Sequence, residues 1–156
     1  MDRVVFIVTI AAGIGSGLIA GTFFVFSVAI MPAFRQLPRE QAISAMNRIN
    51  EVIQNAVFLG VFLGTAVVSA GLAVWSFLNW GPPGTVYLLI GSLLYLIGSF
   101  GVTVAFNVPL NNRLAGSNDP GIWTTYSASW TFWNHVRTIA STLATGAFAV
   151  AAALMA

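Results

Sequence analysis

Four long apolar stretches, separated by shorter polar ones, organise the chain. The first runs from Val4 to about Met31 and meets Pro32. The second covers about Ala56 to Leu78 and meets N79-W-G-P-P-G84. The third covers about Thr85 to Phe106 and meets N107-V-P-L-N-N112. The fourth runs to the C-terminus, with Thr138 to Ala156 wholly uncharged. A helix needs about 20 mostly apolar residues to cross a bilayer core, so each stretch qualifies. The pattern predicts an all-α fold: one domain over 1–156, a four-transmembrane-helix antiparallel bundle with spans at about 4–31, 56–78, 85–106 and 130–156.

The polar stretches are unequal. Asn79 to Gly84 is short, which makes spans two and three antiparallel neighbours. The stretch 32–55 is longer, and Ala42, Met46, Ile49, Ile53 and Ala56 recur in it at helical spacing. Pro38 suits a helix start and Glu40 a first turn. An amphipathic helical extension is therefore expected before span two, running from about Pro38 into it. After the turn-rich A115-G-S-N-D-P-G121, a tryptophan-rich lead allows helix from about Trp123. The fourth helix would then have roughly 34 residues and about 50 Å of length, so its first turns should stand clear of the membrane. Gly13, Gly17 and Gly21, and again Gly60 and Gly64, lie four apart, which predicts close helix approach along those faces.

Composition agrees with the pattern. Only 6% of residues are charged and 58% are hydrophobic, against about 25% charged in soluble domains. The first apolar run is far longer than a signal-peptide core of roughly 7–15 residues, so it reads as a retained span. The net charge is +2, without a basic run, which argues against a nucleic-acid partner. Arg35, Arg39, Arg48 and Arg113 fall on the side of the first and third connections, with Arg137 at its boundary; Arg3 falls on the other. Positive residues favour the cytoplasm. Connections 32–55 and 107–129 are expected to be cytoplasmic, with both termini outside the cell membrane.

The polar side chains gather at one end. Asn107, Asn111 and Asn112 end the third span; Asn134, His135 and Arg137 begin the fourth; Asn47, Arg48, Asn50, Glu51 and Asn55 lie on the extension. Trp123, Ser127, Trp130, Asn134, Arg137 and Ser141 form one stripe at steps of four and three. Asn107 and Asn111 share a face if the helix continues past Pro109, which must remove a backbone hydrogen bond and can open a kink. Each residue also has a structural reading: the tryptophans as an interfacial belt, Arg137 snorkelling to headgroups, the asparagines as interhelical glue, Arg48 and Glu51 as a solvated pair. Taken together, they resemble a site for a flat, oxygen-bearing, lipophilic molecule.

The inventory narrows the chemistry. With no cysteine, thiolate sites and disulfides are excluded. One histidine and the carboxylates Asp2, Glu40, Glu51 and Asp119 give few metal ligands, and no paired Glu-x-x-His motif exists. Neither metal nor cofactor is expected. Nucleophile-elbow and phosphate-loop motifs are absent, and the spans carry no acid for proton conduction.

Three segments in order, G21-T-F-F-V-F-S-V-A-I-M-P32, N107-V-P-L-N-N112 and W130-T-F-W-N-H-V-R-T138, resemble the anthrone-oxygenase-like family of small integral membrane proteins. The resemblance covers nearly the whole chain. It implies oxidation of an anthrone-type polyphenol to a quinone, and by motif match it points to Asn107, Asn111, Trp130, Asn134 and Arg137. The expected site has His135 as general base, Arg137 with Asn134 and Asn107 on the developing oxyanion, and Trp130, Trp133, Tyr126 and Asn111 holding the rings. The alternative is a lipid- or quinone-binding protein, or an accessory subunit of a larger membrane complex. A homo-oligomer is compatible with either, and a transporter is the third reading.

Overall fold

The computed structural model describes residues 3–156. Met1 and Asp2, the latter one of the four carboxylates counted above, lie outside the described residues. The described chain is all helical: α1 (Arg3–Phe34), α3 (Ala56–Leu78), α4 (Thr85–Ala115) and α5 (Ile122–Met155) are each long and apolar enough to cross a membrane. The shorter α2 (Arg39–Val52) lies between α1 and α3.

The four long helices form a ring in which α1 packs on α3 and α5, and α4 also packs on α3 and α5. Neighbours run antiparallel. Thr9 near the start of α1 reaches Met155 at the end of α5, while Phe26 near the end of α1 packs its ring on Trp130 near the start of α5. Gly84 brings the start of α4 against the Ala151 carbonyl, with φ at +89°, a left-handed conformation that favours glycine. The outward faces carry apolar side chains such as Ile14, Leu18, Val67 and Ile139, as a lipid-facing surface requires.

Neither Pro32, expected to stop the first span, nor Pro109, expected to open a kink in the third, ends its helix. Both α1 and α4 widen to π-helix, at Phe26–Ile30 and Thr103–Asn107. In each case the wide stretch ends two residues before the proline, Pro32 or Pro109, and the α-helix then resumes. Proline lacks an N–H and crowds the carbonyl four residues back; the wider turn absorbs that conflict. Helix α4 therefore carries Asn107 and Asn111 on one continuous element. A further π stretch, Leu94–Gly101, contains two glycines but no proline.

The amphipathic extension is present, but it does not run into span two. It stops at Val52, and Asn55 caps α3 by accepting hydrogen bonds from the Val57 and Phe58 amides at 3.0 Å each. Such a cap contributes about 1 kcal/mol and fixes a break in the chain. The break lets α2 lay Ala42 and Met46 against the end of the bundle.

Two apolar clusters result. One fills the bundle, with Ile19, Phe23, Phe62, Leu88, Tyr95 and Phe148. The other lies under α2, with Phe26, Met31, Ala42, Met46, Leu114 and Trp123. Glycine packing differs from the spacing argument. Gly21, Gly60 and Gly64 face open space, and Gly13 and Gly17 make ordinary contacts with α5. The tight approaches are at Gly15 against Thr65 and Gly98 against Ala140.

Candidate functional site

Where the two clusters fail to meet, a cavity of about 510 Å³ remains. Small-molecule sites are typically about 300–1,000 Å³. Its walls come from every helix: Phe23 and Phe26 of α1, Asn50 and Glu51 of α2, Phe58 and Phe62 of α3, Phe100, Thr103 and Asn111 of α4, Trp130 and Arg137 of α5. Six aromatic rings therefore border a handful of polar groups.

Arg137 is the central one. It is 4% exposed and stands on the inward stripe of α5 with Trp123, Trp130, Asn134 and Ser141, all buried. Its guanidinium carbon lies 4.0 Å from the centre of the Phe23 ring and 5.2 Å from that of Trp130. Nη1 donates to Thr103 Oγ1 at 3.2 Å and Nη2 to Asn134 Oδ1 at 2.7 Å, while Nε is buried without an acceptor. Among the described residues the one ion pair is the exposed Arg48–Glu51 contact at 2.9 Å. Arg137 thus has no carboxylate partner. Burying an ion costs several kcal/mol; cation–π contact returns about 2 kcal/mol, and charged hydrogen bonds about 1.5–3 kcal/mol each. Neutral dipoles offset the burial without cancelling the charge, which leaves a positive site facing an apolar cavity.

The orientation of Asn134 is settled by its partners. Nδ2 donates to the Phe23 carbonyl and to Ser27 Oγ, both at 2.8 Å. A carbonyl only accepts, so the nitrogen must face it and the oxygen must face Arg137. Asn134 and Ser27 therefore hold the guanidinium from behind.

The other expected residues divide three ways. Trp130, Asn111 and Arg137 line the cavity. Asn134, Asn107 and Tyr126 stand behind lining residues: Asn107 donates to the Trp130 carbonyl at 3.3 Å, and Tyr126 donates to Asn111 Oδ1 at 2.9 Å. His135 and Trp133 are not in the lining. His135 is exposed, and its Nδ1 lies 3.0 Å from Ser27 Oγ. It falls on the outward face of α5 with Phe132 and Ile139, one residue off the inward stripe and outside the cavity lining. Trp133 stacks on Phe106 at 3.6 Å between ring centres, along the seam of α4 and α5.

Ser27, Thr103 and the phenylalanine walls carry no signal in the sequence that sets them apart. Phenylalanine is frequent in every span, and only the packing separates Phe62 from lipid-facing Phe77. Among the described residues, His, Asp and Glu side chains nowhere gather in threes.

Fold and site together define a multi-pass membrane protein with a half-enclosed aromatic cavity and one buried, unneutralised cation. A family model described as anthrone oxygenase matches residues 53–147, and the chain belongs to that family. Comparison with curated proteins and with solved structures gives no match.

Proposed function

We propose that this protein is a membrane-embedded oxygenase acting on a flat, lipophilic polyphenol of the anthrone type. The observation that carries the reading is the buried guanidinium without a counter-anion at the wall of an aromatic cavity. An anthrone loses a proton from its central carbon to give a delocalised phenolate, whose oxygen is the anion that Arg137 lacks. Arg137 binds that oxyanion more strongly than the neutral ketone, which is the condition for accelerating proton loss. Dioxygen, itself apolar, enters from lipid and bonds to the carbanion carbon. The peroxide oxygen takes a proton, and loss of water from the hydroperoxide leaves the quinone carbonyl. One oxygen atom of O₂ ends in the quinone and one in water, so no external reductant is consumed.

The one carboxylate in the lining is that of Glu51, which stands at the exposed rim of the cavity and pairs with Arg48 at 2.9 Å; it is the candidate to take the first proton. Purified protein should consume oxygen with an anthrone, the His135→Ala variant should do so within about twofold of the natural chain, and Glu51→Gln should be slower. An oxygen electrode reads all three. A quinone- or lipid-binding protein, or an accessory subunit, remains the second reading, supported by the thin set of acid–base groups in the lining. It predicts ligand binding with no oxygen uptake.

The arginine asymmetry supports both termini outside and connections 32–55 and 107–129 in the cytoplasm. A reporter that works only outside the cytoplasm should be active when fused at the C-terminus, and one that works only in the cytoplasm silent.

A further inference from the structure

Three lining residues carry a buried donor that is unused. Arg137 Nε and Trp130 Nε1 are two of them, on neighbouring turns of α5. The third, on α2, ends a chain of hydrogen bonds. Tyr126 Oη donates to Asn111 Oδ1 at 2.9 Å, Asn111 Nδ2 donates to Asn50 Oδ1 at 3.2 Å, and Asn50 Nδ2 is buried with no acceptor. With the Tyr126 phenol as donor, its proton goes to the Asn111 oxygen, the Asn111 nitrogen turns to Asn50, and the Asn50 oxygen receives it. Each bond polarises the next. The Tyr126 oxygen can accept one of the two Asn50 N–H bonds; the other has no acceptor.

A complementary acceptor stands beside it. Asn47 is three residues back on α2, on the same face, and its Oδ1 is buried with no donor. Both residues line the cavity. A free donor next to a free acceptor fits a hydroxyl group, which accepts one hydrogen bond and gives another. Asn111, the partner of Asn50, and Thr103, the partner of Arg137, are eight residues apart on α4. At the α-helical rise of about 1.5 Å per residue that is at most about 12 Å, and less here because Thr103–Asn107 is wide π-helix, a span on the scale of a fused tricyclic ring system with its hydrogen bonds. The rings of Phe58, Phe62 and Phe100 lie in the same lining.

We infer that Asn50 is a specificity-determining residue that donates to a phenolic hydroxyl on an outer ring of the substrate, away from Arg137, with Asn47 accepting the hydrogen bond which that hydroxyl gives. The site then selects flat ring systems that carry an outer-ring hydroxyl as well as the central oxygen held by Arg137. The inference rests on the proposed function for its ligand class.

Binding can be read without turnover, by quenching of tryptophan fluorescence in the full chain in detergent. The probes are anthraquinone and its 2-hydroxy and 2-methoxy derivatives. The hydroxy probe should bind the natural protein about tenfold more tightly than the parent. Asn50→Leu should remove that advantage, so that the hydroxy probe and the parent bind within about twofold of each other. Asn50→Asp keeps the oxygen that Asn111 needs, and so carries the test if the leucine variant does not fold. It should retain the hydroxy probe, which can donate to the carboxylate, and bind the acceptor-only methoxy probe about tenfold more weakly than the natural protein does. Equal weakening of parent and hydroxy probes, or no change in either, would overturn the role of Asn50 alone. Failure of all three probes to bind the natural protein would overturn the proposed ligand class, and this inference with it.

Discussion

Arg137→Gln should lower oxygen uptake with an anthrone by about 10²–10³-fold, the usual cost of losing one oxyanion donor. The fold should survive the change. Asn134 remains anchored through the Phe23 carbonyl and Ser27 Oγ, so the bundle keeps its α1–α5 tie. Glutamine can still donate toward Asn134 Oδ1 or Thr103, but it carries no charge to hold a phenolate. The loss should therefore fall mainly on kcat, because the neutral ketone gains little from the cation and the developing anion gains much. Arg137→Lys makes a sharper control. An ammonium keeps the charge but lacks the planar fork that spans Thr103 and Asn134 while lying over Phe23. It should recover part of the rate and none of the planar stacking. An Arg137→Gln protein that folds and turns over at the natural rate would remove the basis of the proposed chemistry.

The parts of this molecule that could be read from its sequence are those set by local composition. Span number follows from apolar length alone. The inward stripe of α5, from Trp123 to Ser141, was legible because that helix is regular, so a step of three or four residues keeps its meaning over its whole length. The same rule fails in α1 and α4, where π stretches shift the register of everything after them. Pro32 looked like a stop and Pro109 like a kink because nothing in one sequence shows that a wide turn can absorb them. His135 shows a finer limit. It adjoins Asn134 in sequence, and one residue along a helix is about 100° of rotation, enough to carry a side chain from the cavity side to the outer surface. The polar mouth was visible as a cluster. Which of its members face the cavity depends on how α2, ahead of the Asn55 cap, folds back over the end of the bundle, a tertiary event.

Glycine spacing offers the other large effect, with a sign that separates contact from coincidence. Gly98→Ala should destabilise the bundle by about 1–3 kcal/mol, the usual cost of overpacking, whereas Gly64→Ala should not destabilise it. A Cβ on Gly98 would run into the Ala140 Cβ across the α4–α5 interface, while one on Gly64 meets nothing within 4 Å. In a chain of this size the first change corresponds to a fall in melting midpoint of roughly 3–10 °C. The clash is between two single methyl groups, so it can be undone from the other side. Ala140→Gly in the Gly98→Ala background should restore most of the loss, and the coupling read from the double-mutant cycle should be a large fraction of it. This matters for function as well as stability. Gly98 lies in the π stretch that presents Phe100 to the cavity, and Ala140 is less than one turn beyond Arg137. Helices forced apart there would move an aromatic wall relative to the cation, so Gly98→Ala should lose activity in step with stability, and the double variant should regain both. If Gly64→Ala were instead the damaging change and Gly98→Ala silent, the outward face of α3 would be an interface, and the helix ring described above would be the wrong arrangement.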